Sequence, residues 1–333
     1  MNTPGEILEA IEKETREIPD EDLQAKTEGN DDDLDTLQPV PQAKIDSAMA
    51  IIEEAATHGK TALAFSGGSD SMVLLDLAAK TEKDIVVVWA DSQMEYPETR
   101  AFIRETVESR GLQLRIATAT RTPLQQWQRN GWPMLGKQPA RLWNQANAGA
   151  GFKCNVSECC RTMKISPART MTKNLGCSAQ MTGQKGIQDD ALRGTRGLKD
   201  GAVFYQVRDR MWIANPLTGW TNEDITAYRI CADLPEHPAR SRGAKHTGCV
   251  FCGGGAQYTN SRYRILRKTW PEAWNRFMVK WGGGLVILSI KYKSRLDDTR
   301  VAVDQYGGLY TLAAERPWIF DFLRIKPLKG WAK

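Results

Sequence analysis

Short apolar runs alternate with longer amphipathic stretches through much of this 333-residue chain. Runs bounded by turn residues predict buried strands at 61–65, 85–90, 112–117 and 179–182. Helical periodicity predicts helices around 45–59, 71–80, 97–110, 162–175 and 222–230. Strands that alternate with helices predict a parallel sheet covered by helices on both faces, which is the doubly wound α/β class.

The two ends of the chain lack this alternation. Residues 1–40 contain thirteen acidic and three basic residues and little that could be buried. We therefore expect them to form an acidic, largely disordered segment. Residues 257–333 form a basic, aromatic extension of mixed structure, with a helix around 261–280 that Pro271 interrupts. The principal domain is thus expected at 41–256.

The net charge of +5 is divided unequally along the chain. Because residues 1–40 carry a net charge of −10, residues 41–333 carry +15. A basic body suits polyanionic ligands such as nucleotide phosphates, sulfate or nucleic acid. Surplus lysines and arginines on a solvated surface would give the same charge, so charge alone does not choose between these interpretations.

The sequence has no feature typical of an exported or membrane protein. Its first residues lack the apolar segment of a signal peptide. The longest candidate membrane run, 285–290, is far shorter than the roughly 20 residues that span a bilayer. Seven cysteines without a secretory signal indicate reduced thiols that bind metal or take part in chemistry. We predict a cytoplasmic protein with no membrane partner.

A glycine-rich loop lies where the first predicted strand turns into a helix. Its candidate phosphate-binding residues are Ser66, Gly67, Gly68, Ser69, Asp70 and Ser71. Adjacent glycines let backbone N–H groups approach an anion closely, and the following helix directs its positive end at the same place. The alternative is a Ser/Gly turn without a ligand. The flanking strand and helix favour a pyrophosphate at the carboxyl edge of the sheet.

Four cysteines form two pairs that could hold one metal centre: Cys159 and Cys160, then Cys249 and Cys252. The CxxC spacing of the second pair lets both thiolates reach one centre. Adjacent cysteines diverge, which suits two iron corners of a 4Fe–4S cluster better than one tetrahedral zinc. A cluster, a zinc ion and unligated thiols remain the three alternatives.

Two resemblances follow from these residues. The SGGSDS loop resembles the signature of the PP-loop ATP pyrophosphatase superfamily, which implies an adenine nucleotide alpha hydrolase-like fold and ATP with Mg²⁺. The segment CCRTMK at 159–164, the pattern from Pro216 to Tyr228 and the final CxxC resemble cluster-containing adenylyl-sulfate reductases, in the phosphoadenosine/adenosine phosphosulfate reductase-like family. This second resemblance spans about 61–252 and implies an adenine nucleotide near a 4Fe–4S cluster.

Three departures limit the second resemblance. No cysteine follows Cys252, whereas sulfonucleotide reductases end in a catalytic cysteine. The phosphate loop is intact here and is usually degenerate in the reductases. The reductases' sulfate-gripping motif is altered at 183–193, where Lys185 replaces an arginine, and lysine does not reproduce a bidentate arginine grip. ATP is therefore expected as the substrate more than adenylyl sulfate.

Three functions are consistent with these observations. The first is an ATP pyrophosphatase that adenylates a substrate for sulfur insertion, as in tRNA thiolation or DNA phosphorothioation, with a cysteine desulfurase as a possible partner. The second is a phosphoadenylyl- or adenylyl-sulfate reductase whose thiol comes from elsewhere, such as a separate thiol reductant. The third is a non-enzymatic subunit that binds ATP and the cluster.

The ATP hypothesis assigns roles to further residues. Asp70 and Asp91 would lie near the metal or the ribose, and Lys164 and Lys185 would neutralise charge on the α-phosphate. Cys154 lies in a glycine-rich stretch, so we expect a flexible loop in which Lys153 lowers the pKa of the thiol. It would carry a persulfide or attack the activated substrate, replace Cys159 or Cys160 as a cluster ligand, or remain idle.

Other candidate residues are interpreted as structural. The three histidines, His58, His237 and His246, have no ligand spacing. Cys177 and Cys231 are expected to be buried small residues. The stretch 262–270 could bind nucleic acid by charge and stacking, but an amphipathic helix that packs its apolar side chains inward is slightly favoured.

Overall fold

The computed structural model describes residues 1–14, 38–81, 83–186, 201–244, 246–253 and 262–321. The chain forms two compact units, each built from separate segments. The helical unit comprises Met1–Gly29, Arg121–Thr162 and Val250–Lys333, and the sheet unit comprises Asn30–Thr120 and Met163–Cys249. The expected boundary at 256 does not coincide with this division, because residues 121–162 belong to the same unit as the C-terminal extension.

The sheet unit contains a six-stranded sheet among the described residues. Its strands are β1 (Thr61–Ala64), β2 (Ile85–Asp91), β3 (Gln113–Thr118), β4 (Ala179–Met181), β5 (Val203–Gln206) and β6 (Met211–Ala214). The strand order is β3-β2-β1-β4-β6-β5, and every pairing is parallel except the antiparallel β5–β6 pair. The predicted doubly wound α/β class is confirmed.

Helices occupy the connections and most of the helical unit. The α-helices of the described residues are α1 (Pro4–Lys13), α2 (Gln42–Thr57), α3 (Ser69–Ala79), α4 (Thr99–Glu108), α5 (Pro123–Asn130), α6 (Lys137–Ala146), α7 (Val156–Cys160), α8 (Ser166–Asn174), α9 (Asn222–Cys231), α10 (Pro238–Ser241), α11 (Arg262–Thr269), α12 (Pro271–Asn275), α13 (Gly283–Tyr292), α14 (Leu296–Gln305) and α15 (Leu309–Glu315). Two π-helical turns, Arg161–Ile165 and Arg276–Lys280, and the 3₁₀ turn Pro317–Phe320 complete the set.

The core of the sheet unit follows from its apolar runs. β1 and β2 are buried along almost their whole length, as expected for central parallel strands covered on both faces. Helix α3 packs into this core with Met72 to Leu75 all buried. The sheet therefore holds the SGGSDS loop between a buried strand and a buried helix.

The switch point of the sheet lies beside β1. β1 pairs with β2 on one side and with β4 on the other. The chain passes from β1 to β2 on the first side, whereas β4 on the second side begins at Ala179, 115 residues after the end of β1 at Ala64. In open α/β sheets, ligands bind in the crevice outside the carboxyl ends of the strands at such a point. The loop at 66–71 occupies that position.

The helical unit differs from expectation at the N-terminus. Residues 1–40 are expected to be largely disordered, yet α1 has a full capping box between Thr3 and Glu6, and it buries Ile7 and Ile11. Arg316 donates to the backbone oxygens of Ile11, Glu12 and Glu14 at 2.8–2.9 Å, which satisfies the C-terminal end of α1. Residues 15–37 lie outside the described residues.

The C-terminal extension is helical. The predicted helix around 261–280 is present as α11, α12 and a π-turn, with the break at Trp270–Pro271. The sequence pattern predicts no element for residues 283–290, which form the part of α13 that is buried on every face. Such burial explains a uniformly apolar run without helical periodicity. Within the described residues, every helix is too short or too polar to cross a bilayer.

Candidate functional site

The SGGSDS loop is held by hydrogen bonds between its own residues. The backbone N–H of Ser66 donates to Oγ of Ser71 at 3.3 Å, and Ser71 Oγ donates to the carbonyl oxygen of Gly68 at 2.9 Å. Gly67 has a φ of +73°, a left-handed conformation that favours glycine. Helix α3 begins directly afterwards at Ser69, so its positive end lies at the carboxyl end of β1.

The segment after β4 lies directly against this loop. A Cβ atom placed on Gly183 would lie 3.2 Å from the backbone carbon of Asp70 and 3.2 Å from the nitrogen of Ser71. No larger side chain fits without moving the loop. Gly183 is also the first residue of the altered sulfate motif, and residues 187–193 of that motif lie outside the described residues.

Lys185 reaches the first turn of α3. Its Nζ atom lies 3.2 Å from Oδ1 of Asp70 and also contacts Oδ1 of Asn222, the first residue of α9. The Lys185 residue is buried, with 5% of its surface exposed. Lys185 is predicted to neutralise an α-phosphate and Asp70 to lie near a metal ion. Here the two side chains pair with each other, and their charges cancel beside the loop.

A cavity of about 810 Å³ opens beside the loop, within the sheet unit. It is bordered by the ends of β1 and β2, by α8 and by the segment after β4, and it has both apolar and cationic walls. Its lining residues include Ala64, Phe65, Ser66, Val88, Trp89, Glu95, Lys164, Ile165, Arg169, Gln180, Gln184, Phe204, Arg208, Ile213 and Asn215. The size is typical of a small-molecule or cofactor site.

Lys164 joins this cavity to a cysteine sulfur. Its Nζ atom lies 3.2 Å from Oε1 of Glu95, and Ser92 Oγ bridges Oε1 of Glu95 at 2.7 Å and Sγ of Cys249 at 3.2 Å. Burial lowers the pKa of Lys164, but the neighbouring Cys249 and Glu95 oppose it, and the net pKa is raised. Lys164 therefore supplies a fixed positive charge to the cavity wall. Its role at an α-phosphate stays a prediction from the sequence.

Asp91 has a structural environment. It is buried, pairs with Arg100 and accepts the N–H of Gln93 at 2.8 Å. It is not among the residues that line the cavity. A direct role for Asp91 at a metal ion or ribose stays a prediction from the sequence.

His237, interpreted as structural, supports the loop from behind. Its Nδ1 accepts the N–H of Ala239 at 3.1 Å and its Nε2 lies 3.0 Å from Thr99 Oγ1. A Cβ atom on Gly67 would lie 3.5 Å from its ring. Burial lowers the pKa of His237. The His237–Pro238 step is a sequence signal for a helix start at this position, since proline is common at the first residue of a helix.

The four predicted metal ligands are divided between the units. Cys249 belongs to the sheet unit, while Cys159, Cys160 and Cys252 belong to the helical unit. Cys159 is buried and accepts a hydrogen bond from Trp127 Nε1 at 3.3 Å, whereas Cys160 is exposed. In the part of the chain that the structure describes, no three His, Cys, Asp or Glu side chains are gathered to hold a metal ion. The 4Fe–4S cluster stays a prediction from the sequence.

Cys154 does not lie in the flexible, basic environment that its sequence context predicts. Asn144 holds its backbone by two hydrogen bonds of 2.9 Å, one to the Cys154 N–H and one to its carbonyl oxygen. Only 1% of the residue is exposed, and burial raises the pKa of the thiol. The expected lowering of its pKa by Lys153 is wrong, because desolvation disfavours the thiolate.

The two remaining cysteines differ in their exposure to solvent. Cys177 is buried, as predicted, and Cys231 is exposed, so the prediction of burial is wrong there. Cys231 is the last residue of α9, whose buried face is formed by Ile225, Ala227 and Tyr228. Cys231 lies three residues after Tyr228, so helical spacing alone does not predict its exposure.

Comparisons with known proteins identify relatives of this chain by sequence. The profile of the phosphoadenosine phosphosulfate reductase domain matches residues 60–254. The phosphoadenosine 5'-phosphosulfate reductase of Alkalilimnicola ehrlichii is 29% identical over 58% of this chain and 69% of its own length. That of Xylella fastidiosa strain M23 is 28% identical over 66% and 83%, and the adenosine 5'-phosphosulfate reductase of Pseudomonas aeruginosa strain LESB58 is 27% identical over 67% and 77%.

The crystal structure of phosphoadenylyl-sulfate reductase from Candida auris in a phosphate complex aligns with a TM-score of 0.44 and 19% identity, over 64% of this chain and 97% of that chain. The family assignment does not depend on this alignment, since the matching profile alone covers more than half of the chain. The chain belongs to the phosphoadenosine phosphosulfate reductase domain family.

Proposed function

We propose that the sheet unit binds an adenine sulfonucleotide in its cavity and catalyses the reductive release of sulfite from it, using a separate dithiol reductant. The observation that carries this proposal is the position of Lys164, which lines the cavity and contacts Glu95 and Cys249 at its wall. The apolar side chains of the cavity suit a purine ring, and its cations suit the phosphosulfate group.

The reaction needs two thiols. A thiolate of the reductant attacks the sulfur of the sulfate group, the S–O bond to the phosphate breaks, and the nucleotide leaves as a phosphate. The second thiol then displaces sulfite from the resulting thiosulfonate, so that the sulfur gains two electrons and the dithiol becomes a disulfide. Both thiols are assigned to the reductant in this proposal.

Lys164 would act on the leaving group. Negative charge develops on the phosphate oxygen as the S–O bond breaks, and a preorganised ammonium group stabilises it. Glu95 and Ser92 hold Lys164 and the Cys249 side chain in place. Arg169 and Arg208, which flank Asp209, add positive charge to the lining of the same cavity.

The test measures sulfite release from adenylyl sulfate and from 3'-phosphoadenylyl sulfate in the presence of a dithiol. We expect sulfite with at least one of them, and a loss of about 100-fold or more for Lys164→Met, as is typical when a transition-state donor is removed. The matched control is Lys173→Met, an exposed lysine of the same unit outside the cavity lining. No sulfite from either nucleotide would contradict the proposal.

A second function is favoured by one observation, the intact SGGSDS loop at the start of α3. Such a loop suits the β,γ-phosphates of ATP, so the alternative is an ATP pyrophosphatase that adenylates a substrate for sulfur insertion. Release of pyrophosphate from ATP without sulfite from a sulfonucleotide would favour this alternative. Tight nucleotide binding without either product would favour a non-enzymatic subunit.

A further inference from the structure

The helical unit contains a second large cavity, of about 780 Å³. Every residue that lines it belongs to this unit, and none of them belongs to the SGGSDS loop or to the predicted metal ligands. The lining comes from α5, the segments 131–132, 148–153 and 279–282, the start of α13, α14 and the first residues of α15. This cavity has no role in the function proposed above.

Aromatic side chains form much of its wall. Trp127 and Trp132 are buried, with ring centroids 5.2 Å apart, and Trp281 packs on Trp127 at 5.6 Å. Phe152 is half-buried, and Tyr310 is 62% exposed. The cavity thus has a rigid aromatic wall together with an aromatic ring open to solvent.

Four cations line the same cavity, and all four are exposed: Arg129, Lys153, Lys280 and Arg300. They come from four separate segments of the chain. Asp304 is the single carboxylate of the lining. Across the described ranges, none of the four cations forms an ion pair with a carboxylate, whereas Lys164 and Lys185 of the sheet unit are both paired.

We propose that this cavity binds single-stranded nucleic acid, with a base against the aromatic wall and the adjacent phosphates held by its cations. Proteins that bind single strands combine a positively charged groove with aromatic rings on which bases stack. The cations lie on separate segments, which suits a chain of phosphates better than one compact anion. The volume admits one or two nucleotides and excludes a duplex.

The structure favours this cavity over the basic stretch 262–270. Sequence patterns leave nucleic-acid binding and helix packing open for that stretch. In the structure Tyr263, Leu266 and Trp270 are all buried, so its aromatic rings are not accessible to a base. Tyr263 also donates to the carbonyl oxygen of Phe251 at 3.4 Å, as expected for a core residue.

The test uses fluorescence anisotropy with labelled 20-residue oligothymidylate and oligouridylate at several salt concentrations, and a DNA duplex for comparison. We expect the wild-type protein to prefer the single strands. The double variant Arg129→Gln and Arg300→Gln should weaken binding. It should also make the salt dependence shallower, reducing the magnitude of the slope of log binding constant against log salt by about 1.4 for two lost phosphate contacts. Arg276→Gln with Arg295→Gln, two exposed arginines outside the cavity lining, should change neither value.

A second pair of variants tests stacking. Tyr310→Ala should weaken single-strand binding roughly 10-fold through the loss of one stacked base. The control is Tyr205→Ala, a second exposed tyrosine, which lies on β5 of the sheet unit. Both changes are at exposed positions, so the fold should be retained. Absence of single-strand binding, equal affinity for the duplex, or equal losses in the cavity variants and their controls would overturn the proposal.

Discussion

Nζ of Lys185 lies 3.2 Å from Oδ1 of Asp70, so a buried ammonium group after β4 is paired with the first turn of α3. The pair joins two segments that are 115 residues apart in the sequence. Asn222 accepts from the same ammonium group, which adds the start of α9 to the contact. The SGGSDS loop is thereby fixed by the segment that carries the altered sulfate motif.

Replacement of Lys185 by Met should destabilise the protein and weaken nucleotide binding. Asp70 would lose its partner while Asn222 would lose a charged donor, and loss of such a hydrogen bond costs about 1–3 kcal/mol. Urea denaturation and nucleotide titration measure the two effects. The double variant Lys185→Met with Asp70→Asn should recover part of the lost stability, because no unpaired carboxylate remains. No recovery would contradict a direct interaction.

Gly183→Ala should disturb the loop without touching a nucleotide. Its methyl group would lie 3.2 Å from the backbone of Asp70 and Ser71, and overpacking of this kind costs about 1–3 kcal/mol. We expect a lower melting temperature and a smaller stabilisation by adenine nucleotide, since the stabilisation by a ligand falls as its affinity for the folded state falls. Gly219→Ala, where no atom lies within 4 Å, is the matched control. Equal effects of both substitutions would contradict the close contact.

The sequence predicts the strands and helices that form the site better than it predicts which side chains pair with each other there. The strands β1 to β4 and the helix after the loop follow from local patterns of apolar residues, and these are the elements that place residues 66–71 at the sheet edge. The Lys185–Asp70 pair depends on which strands are neighbours, and no local pattern contains that information. The same holds for α1, which is anchored by Arg316 more than 300 residues away.

The β5–β6 pair was missed for a different reason. A turn between short antiparallel strands usually shows a glycine or asparagine where φ is positive. Here that conformation is taken by Arg210, with a φ of +50°. Without a glycine signal, two strands of four residues each do not stand out from a loop.

His237 should make stability depend on pH. Burial lowers the pKa of folded His237 below the ordinary value of 6.5, and the charges of Glu98 and Glu95 oppose this shift only in part, while that of Arg240 adds to it. As the pH falls below about 6.5, the unfolded chain takes up a proton that the folded chain resists, so the free energy of unfolding decreases. Urea denaturation at pH 8 and at pH 5.5 measures this loss, and His237→Gln should reduce it. An unchanged pH dependence in the variant would assign the effect to other groups.

Iron content tests the cysteine pairs. Protein purified without oxygen should be brown, absorb near 400 nm, and contain about four irons per chain. Cys249→Ser and Cys160→Ser should each remove the colour and the iron. Cys231→Ser is the control, because Cys231 is exposed and lies outside the CC and CxxC pairs. Colourless wild-type protein with one zinc per chain would contradict the cluster.

Alkylation distinguishes Cys154 from the exposed thiols. Thiolates are the reactive species, and burial both raises the pKa of the Cys154 thiol and blocks access to it. In the native protein, iodoacetamide should modify Cys231 quickly and Cys154 only on the timescale of unfolding, as followed by mass spectrometry of the digested chain. Asn144→Ala, which removes both hydrogen bonds to the Cys154 backbone, should speed the modification of Cys154 and leave that of Cys231 unchanged. Rapid native modification of Cys154 would contradict its burial and return it to the set of candidate nucleophiles.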